Sequence, residues 1–224
     1  MCGRYGFIPT KDFANRFQLE KTDFNLRASY NVSPGMLQPV IIVDSGGHKA
    51  ELMKWGLIPF WAKDPKIAYR TINARAEEVA AKPAFREPFR KKRCLVPANG
   101  FYEWEVIAPR EREPYWFQLK SGAIFAFAGL YDIWKDVEGK EHKSYTIITT
   151  RANTLVNKVH PRMPVIVKHK LEAAWADNAR FDPAVMQNIM QPYPPEEMEA
   201  WHVGRKVGNP ATDGPDLIRP VANL

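Results

Sequence analysis

Short apolar runs separated by polar turns mark a series of strands along this chain. Leu37 to Val43 and Ala50 to Trp55 flank Asp44-Ser45-Gly46-Gly47, a spacing that predicts a β-hairpin. Further strands are predicted at residues 2 to 8, Cys94 to Pro97, Pro114 to Leu119, Ala123 to Tyr131, Ser144 to Thr150 and Val165 to Val167, with a short one at Leu217 to Val221. Ala123 to Tyr131 is almost continuously apolar, as a strand covered on both faces should be. Helical spacing is confined to short pieces: Thr10 to Leu19, a stretch after Glu77 ending near Lys82-Pro83, a turn through Phe89, Ala152 to Val159, Leu171 to Asp177 and Pro183 to Met190. The pattern predicts an α+β chain in which helices are peripheral.

Between these elements lie polar or rigid segments. Tyr30-Asn31-Val32-Ser33-Pro34-Gly35 reads as a polar turn, with Ser33 held extended by Pro34. Trp55-Gly56-Leu57-Ile58-Pro59-Phe60-Trp61 is an aromatic loop broken by Gly and Pro and followed by Lys63 and Lys66, a mixture of ring faces and cations suited to single-stranded nucleic acid. His160-Pro161-Arg162-Met163-Pro164 is fixed by two prolines. In a period-two strand, Phe101, Glu103 and Glu105 share one face while Tyr102 and Trp104 take the other, so Glu103 is an acid among core positions.

The 224 residues, 45% of them hydrophobic, suffice for one domain spanning 1–224. Net charge is +7, which favours a polyanionic partner, and Arg86, Arg90, Lys91, Lys92 and Arg93 form the densest basic cluster. Cys2 and Cys94 are too few for a disulfide framework and lack zinc spacing. No apolar run reaches a membrane-spanning length, and a soluble cytoplasmic monomer associated with the nucleoid, without metal or cofactor, is expected.

Chemistry concentrates at Cys2. Removal of Met1 gives Cys2 a free α-amine beside its thiol, a 1,2-aminothiol that closes on aldehydes to a thiazolidine. Glu103 between aromatic neighbours is a candidate proton shuttle, and His160 alone among the five histidines sits in a rigid setting with an arginine two residues on, where either a structural or a catalytic role fits. By residue type alone, Asn73 reads as a helix N-cap and Cys94 as inert core.

Met1-Cys2-Gly3-Arg4-Tyr5, Tyr30 to Gly35, Trp55 to Pro59, Asn73-Ala74-Arg75-Ala76-Glu77, Arg93 to Trp104 and His160 to Pro164 together resemble, in order, the SRAP family of SOS-response-associated peptidases. The resemblance runs from residue 2 to about Asn209. One common form of the family has Asp at the positions of Asn99 and Pro161, and neither change removes a required group. The resemblance implies a curved, mostly antiparallel, barrel-like sheet with peripheral helices. It also implies a sensor of abasic sites in single-stranded DNA that crosslinks itself reversibly through Cys2 to the deoxyribose aldehyde, with possible lyase activity. Family roles then fall on Cys2 as nucleophile, Asn73 as the group orienting its amine, Glu103 as proton donor and acceptor, and His160 as partner at the imine. DNA contacts are expected from Arg4, Asn31, Pro34, Phe60, Trp61, Arg75, Arg86 and Arg162. Two other functions remain open on the same residues: a Cys-His peptidase that removes Met1 autocatalytically, and a non-covalent single-stranded DNA-binding module.

Overall fold

The computed structural model describes residues 2–19, 24–44 and 47–221. Its strands are β1 Arg4–Phe7, β2 Ser29–Val32, β3 Leu37–Asp44, β4 Gly47–Trp55, β5 Asn73–Arg75, β6 Arg93–Ala98, β7 Gly100–Ala108, β8 Glu111–Leu119, β9 Phe125–Lys135, β10 Glu141–Arg151, β11 Arg162–Pro164, β12 Ile166–Val167 and β13 Met198–His202. Among the described residues, four short helices, α1 Phe13–Arg16, α2 Arg86–Lys91, α3 Glu172–Ala176 and α4 Pro183–Ile189, lie around them.

Pairing closes five strands on themselves. β10 runs parallel to β4, β4 antiparallel to β3, β3 to β6, β6 to β9, and β9 back to β10, so the ring has no edge. β9, the nearly continuous apolar run, pairs with three strands and buries Phe125 to Leu130 completely or almost so. β10 outlasts its barrel neighbours: beyond residue 147, β5 takes one side of it and β11 the other. The second sheet is open, in the order β13-β8-β7-β1-β2, and antiparallel throughout. A core containing Tyr5, Trp55, Phe101, Phe127 and Tyr145 joins both sheets, and a smaller cluster around Tyr102 and Trp116 covers the far face of the open one. Alternation along β7 is thus as expected: Phe101 enters the main core, while Tyr102 and Trp104 enter the other.

The helical expectations shrink. Thr10 to Leu19 forms only α1, because Phe13 and Phe17 are buried while Ala14 is exposed, and Gln18 adopts φ 55°. The stretch after Glu77 makes a single turn, with Lys82 N–H on Glu78 O, before Pro83. Ala152 to Val159 yields a 3-10 turn at Val156–Lys158, capped by Asn153 Oδ1. Segments this short cannot sustain a helix unless packing contributes. Leu217 to Val221 is a 3-10 turn at Pro215–Ile218 with one bridge, Val203 to Pro220, instead of a strand. β13 forms in the Pro-rich tail, whose apolar pattern predicts no strand at that place. The turn residues Ser45 and Gly46 of the β3–β4 hairpin lie outside the described residues.

Candidate nucleophile and acid-base site

β1 carries Cys2 at its entrance and is gripped from both sides. Tyr5 pairs with Val32 of β2 and Phe101 of β7, and Gly6 pairs with Gly100. Close approach requires glycine at position 100, since a Cβ there would stand 2.2 Å from the Trp116 ring. The Tyr5 hydroxyl lies 2.7 Å from that of Tyr145 on β10, a buried bond that ties the open sheet to the barrel. Cys2 is fully buried, with Sγ 3.8 Å from the Arg4 carbonyl. Burial pushes its thiol far above the ordinary range, and the Glu103 carboxylate adds to the effect. Cys94 is raised by burial alone, as inert core should be.

Glu103 stands on β7 opposite Tyr115 and is 2% exposed. Burial pushes its carboxyl up to about 7. His160 reaches it from the turn before β11, with Nδ1 3.9 Å from Glu103 Oε2. Burial lowers the imidazole. His160 Nδ1 lies 3.0 Å from both the backbone N–H and the carbonyl oxygen of Arg162, so the ring is held in place by either tautomer. At neutral pH the site therefore holds a neutral thiol, a neutral imidazole and a carboxyl poised between its two forms.

Asn73 is a strand residue, not the helix N-cap that its type suggests. It sits opposite Ile147, two residues beyond Tyr145. Its Nδ2 donates weakly to Ile147 O at 3.4 Å, and its Oδ1 is a buried acceptor without a hydrogen-bond partner among the described residues. Arg162 is held in a fork: Nη1 and Nη2 donate to the two oxygens of Glu77 at 2.7 and 3.0 Å, and Nη2 also donates to Thr149 O. As a phosphate clamp it would have to share its guanidinium with this pair. Sequence reasoning does not single out Glu77 or Thr149, although Glu77 lies within the Asn73–Glu77 block.

The remaining expected contacts divide by exposure. Arg75 is exposed, with a 3.9 Å pair to Glu78, and Arg86 is exposed on α2. Phe60 and Trp61 are 52% and 47% exposed. Pro34 is half-buried beside Gly35, whose φ of 90° closes the turn. Arg4 is half-buried, its Nη1 donating to Gly3 O. Asn31 requires correction. It belongs to β2, is 1% exposed, and spends its amide on the carbonyls of Val207, Asn209 and Thr212, so it anchors the tail instead of facing solvent. Arg93 likewise leaves the basic cluster: fully buried, it donates to carbonyls of Phe89, Arg90, Trp175, Asp177 and Arg180. Among the described residues no three His, Cys, Asp or Glu side chains converge as metal ligands, and no helix is long and apolar enough to cross a membrane.

The SRAP model, described as SOS response associated peptidase, matches residues 1–210. An abasic site processing protein of Bacillus subtilis, YoqW, is 42% identical over 97% of this chain and 99% of its own length. The abasic site processing protein HMCES of Pongo abelii is 31% identical over 86% of this chain and 65% of its own. A crystal structure from Bacteroides thetaiotaomicron superposes with a TM-score of 0.88 at 28% identity, covering 98% of this chain and all of that one. The family pattern thus runs through nearly the whole sequence, a relative matches it end to end, and a solved structure shares its barrel and added sheet: this protein belongs to the SRAP family.

Proposed function

We propose that this protein processes abasic sites in single-stranded DNA by covalent capture through Cys2. The observation that carries the reading is the grouping of a buried Cys2 thiol, a Glu103 carboxyl raised to about 7 and a neutral His160 3.9 Å from that carboxyl. Similarity to abasic site processing proteins supports the substrate.

The sequence of steps follows from which groups hold protons. Met1 is removed, freeing the α-amine of Cys2. Glu103 takes the C1′ hydroxyl proton of the closed sugar while the ring oxygen is protonated, opening the aldehyde. The amine, oriented by Asn73 Oδ1, attacks C1′, and the resulting carbinolamine loses its hydroxyl as water on receiving a proton from the acid form of Glu103. Thiol sulfur then adds to the imine carbon and its proton passes to nitrogen, closing the thiazolidine with one water released overall. His160 assists proton transfer at the imine. A carboxyl raised to about 7 is suited to both directions, because neither form is scarce at neutral pH. Arg4, Arg75 and Arg162 are the candidate phosphate contacts, each two residues from one of these groups.

A Cys-His peptidase would use the same names with opposite electrostatics. It needs a thiolate beside an imidazolium, whereas burial here raises the thiol and lowers the imidazole.

The test is denaturing electrophoresis with intact mass. Mature wild type should form an adduct of protein plus DNA less one water on an oligonucleotide bearing one abasic site. Cys2→Ala should not, nor should a variant with Ala inserted between Met1 and Cys2. Full adduct from the insertion variant would discard the thiazolidine.

A further inference from the structure

Two segments that carry site residues lie on opposite sides of β10, and one ion pair joins them across it. β5, with Asn73, runs along one side of β10, and β11, which follows His160, runs along the other. Glu77, four residues after Asn73, reaches Arg162, two residues after His160, and accepts from its Nη1 and Nη2 at 2.7 and 3.0 Å. Between them lies Thr149, whose buried carbonyl oxygen takes Ala76 N–H at 2.9 Å and Arg162 Nη2 at 2.6 Å. A bond at one nitrogen leaves a guanidinium able to swing about that point, whereas two parallel bonds to a carboxylate fix its plane. The fork also holds the Glu77 carboxyl below its usual range, so the pair persists across the pH interval in which Glu103 titrates.

The turn of His160 depends on this hold. His160 Nδ1 lies 3.0 Å from both the backbone N–H and the carbonyl oxygen of Arg162, so a shift of that backbone carries the ring with it. β11 is three residues long, and Pro164, one of them, has no N–H to give to the ladder. The Arg162 side chain therefore supplies a lateral tie that so short a strand lacks. The Glu77 side chain is 53% exposed, and an exposed ion pair adds little to stability, but displacing a catalytic group by about 1 Å can slow a reaction about 100-fold.

We propose that Glu77 is a positioning residue: through the Arg162 fork it sets where the His160 ring stands relative to Glu103. The catalytic meaning rests on the proposed capture at Cys2, whereas the placement of the ring does not. A gate that withholds Arg162 from phosphate would behave in the reverse way, with tighter binding and faster capture once the carboxylate is neutralised.

The experiment follows Glu77→Gln by single-turnover adduct formation on an oligonucleotide bearing one abasic site, with protein in varied excess, and by NMR of the histidine ring protons. The plateau rate should fall about 10- to 100-fold, while the half-saturating protein concentration and the melting temperature change far less. In a His160→Ala background the same substitution should slow the plateau no further, because its effect passes through that ring. The His160 ring signals, identified by their loss in His160→Ala, should shift in Glu77→Gln while those of the other four histidines stay in place. An unchanged plateau would overturn the proposal, as would equal slowing with and without His160, or the tighter binding and faster capture of a gate. If wild type forms no adduct, the covalent reading falls and the ring signals alone decide: a shift upholds placement by Glu77, and unchanged signals overturn it.

Discussion

The hydroxyls of Tyr5 and Tyr145 meet at 2.7 Å in the core, and through them the strand bearing Cys2 is fastened to the barrel strand that Asn73 and Arg162 flank. Both residues are fully buried. Tyr145→Phe leaves the Tyr5 hydroxyl without its partner and should cost about 1 to 3 kcal/mol in urea unfolding. Changing both to Phe should cost less than the two single changes added together, because no buried hydroxyl is then left over. Strict additivity would mean that the pair does not couple the sheets.

Glu103 gives a sign that pH can test. Its carboxyl is raised by burial from the ordinary range to about 7. The buried neutral acid therefore contributes stability fully below about pH 4.5, and that contribution is lost as pH rises through 7. Glu103→Gln should remove this slope and, at pH 8, stand above wild type in stability by up to roughly 3 kcal/mol. A parallel pH dependence in the variant would refute the assignment.

The same group should set the rate profile. Adduct formation followed from pH 5 to 9 should show an inflection near 7 in wild type and in His160→Ala, since burial holds the imidazole below its usual value. Glu103→Gln should lose the inflection and slow the reaction by roughly 10²- to 10³-fold. If the inflection disappears with His160 instead, the roles are reversed.

Arg75 is exposed and only loosely paired with Glu78 at 3.9 Å. Arg75→Ala should weaken single-stranded DNA binding for every sequence and reduce the salt slope by about 0.7 for each phosphate the guanidinium neutralises. Its melting temperature should stay put. A drop in melting temperature with an unchanged slope would make Arg75 structural.

Arg93 predicts the opposite pattern from its neighbours in the basic run. Its guanidinium closes the carbonyl ends around α2 and α3. Arg93→Ala should destabilise the fold by about 3 kcal/mol or more. Arg93→Lys should rescue little of that, because an ammonium cannot span a set of carbonyls matched to a planar fork. DNA affinity of whatever fraction remains folded should match wild type.

Much of this protein is written in local pattern. The β3–β4 hairpin, the buried run of β9 and the two faces of β7 follow from period-two alternation and turn residues, which act within a few positions and need no distant partner. The residues offered for chemistry stand out for the same reason: Cys2 by its place beside Met1, Glu103 as a charge on an apolar face, and His160 at the head of a loop fixed by two prolines. Tertiary structure decided what those residues experience. The residue type of Asn73 suggests a helix start, and only the open flank of β10 makes it a strand residue with a buried carbonyl oxygen. Asn31 and Arg93 carry polar groups that suit a surface, yet Asn31 meets backbone carbonyls about 180 residues away, and Arg93 meets carbonyls more than 80 residues away besides those of Phe89 and Arg90. Charge and polarity are properties of a residue, but burial and the partners that satisfy it are set by the closed barrel and the tail laid across the open sheet, and no window of sequence contains both sides of those contacts.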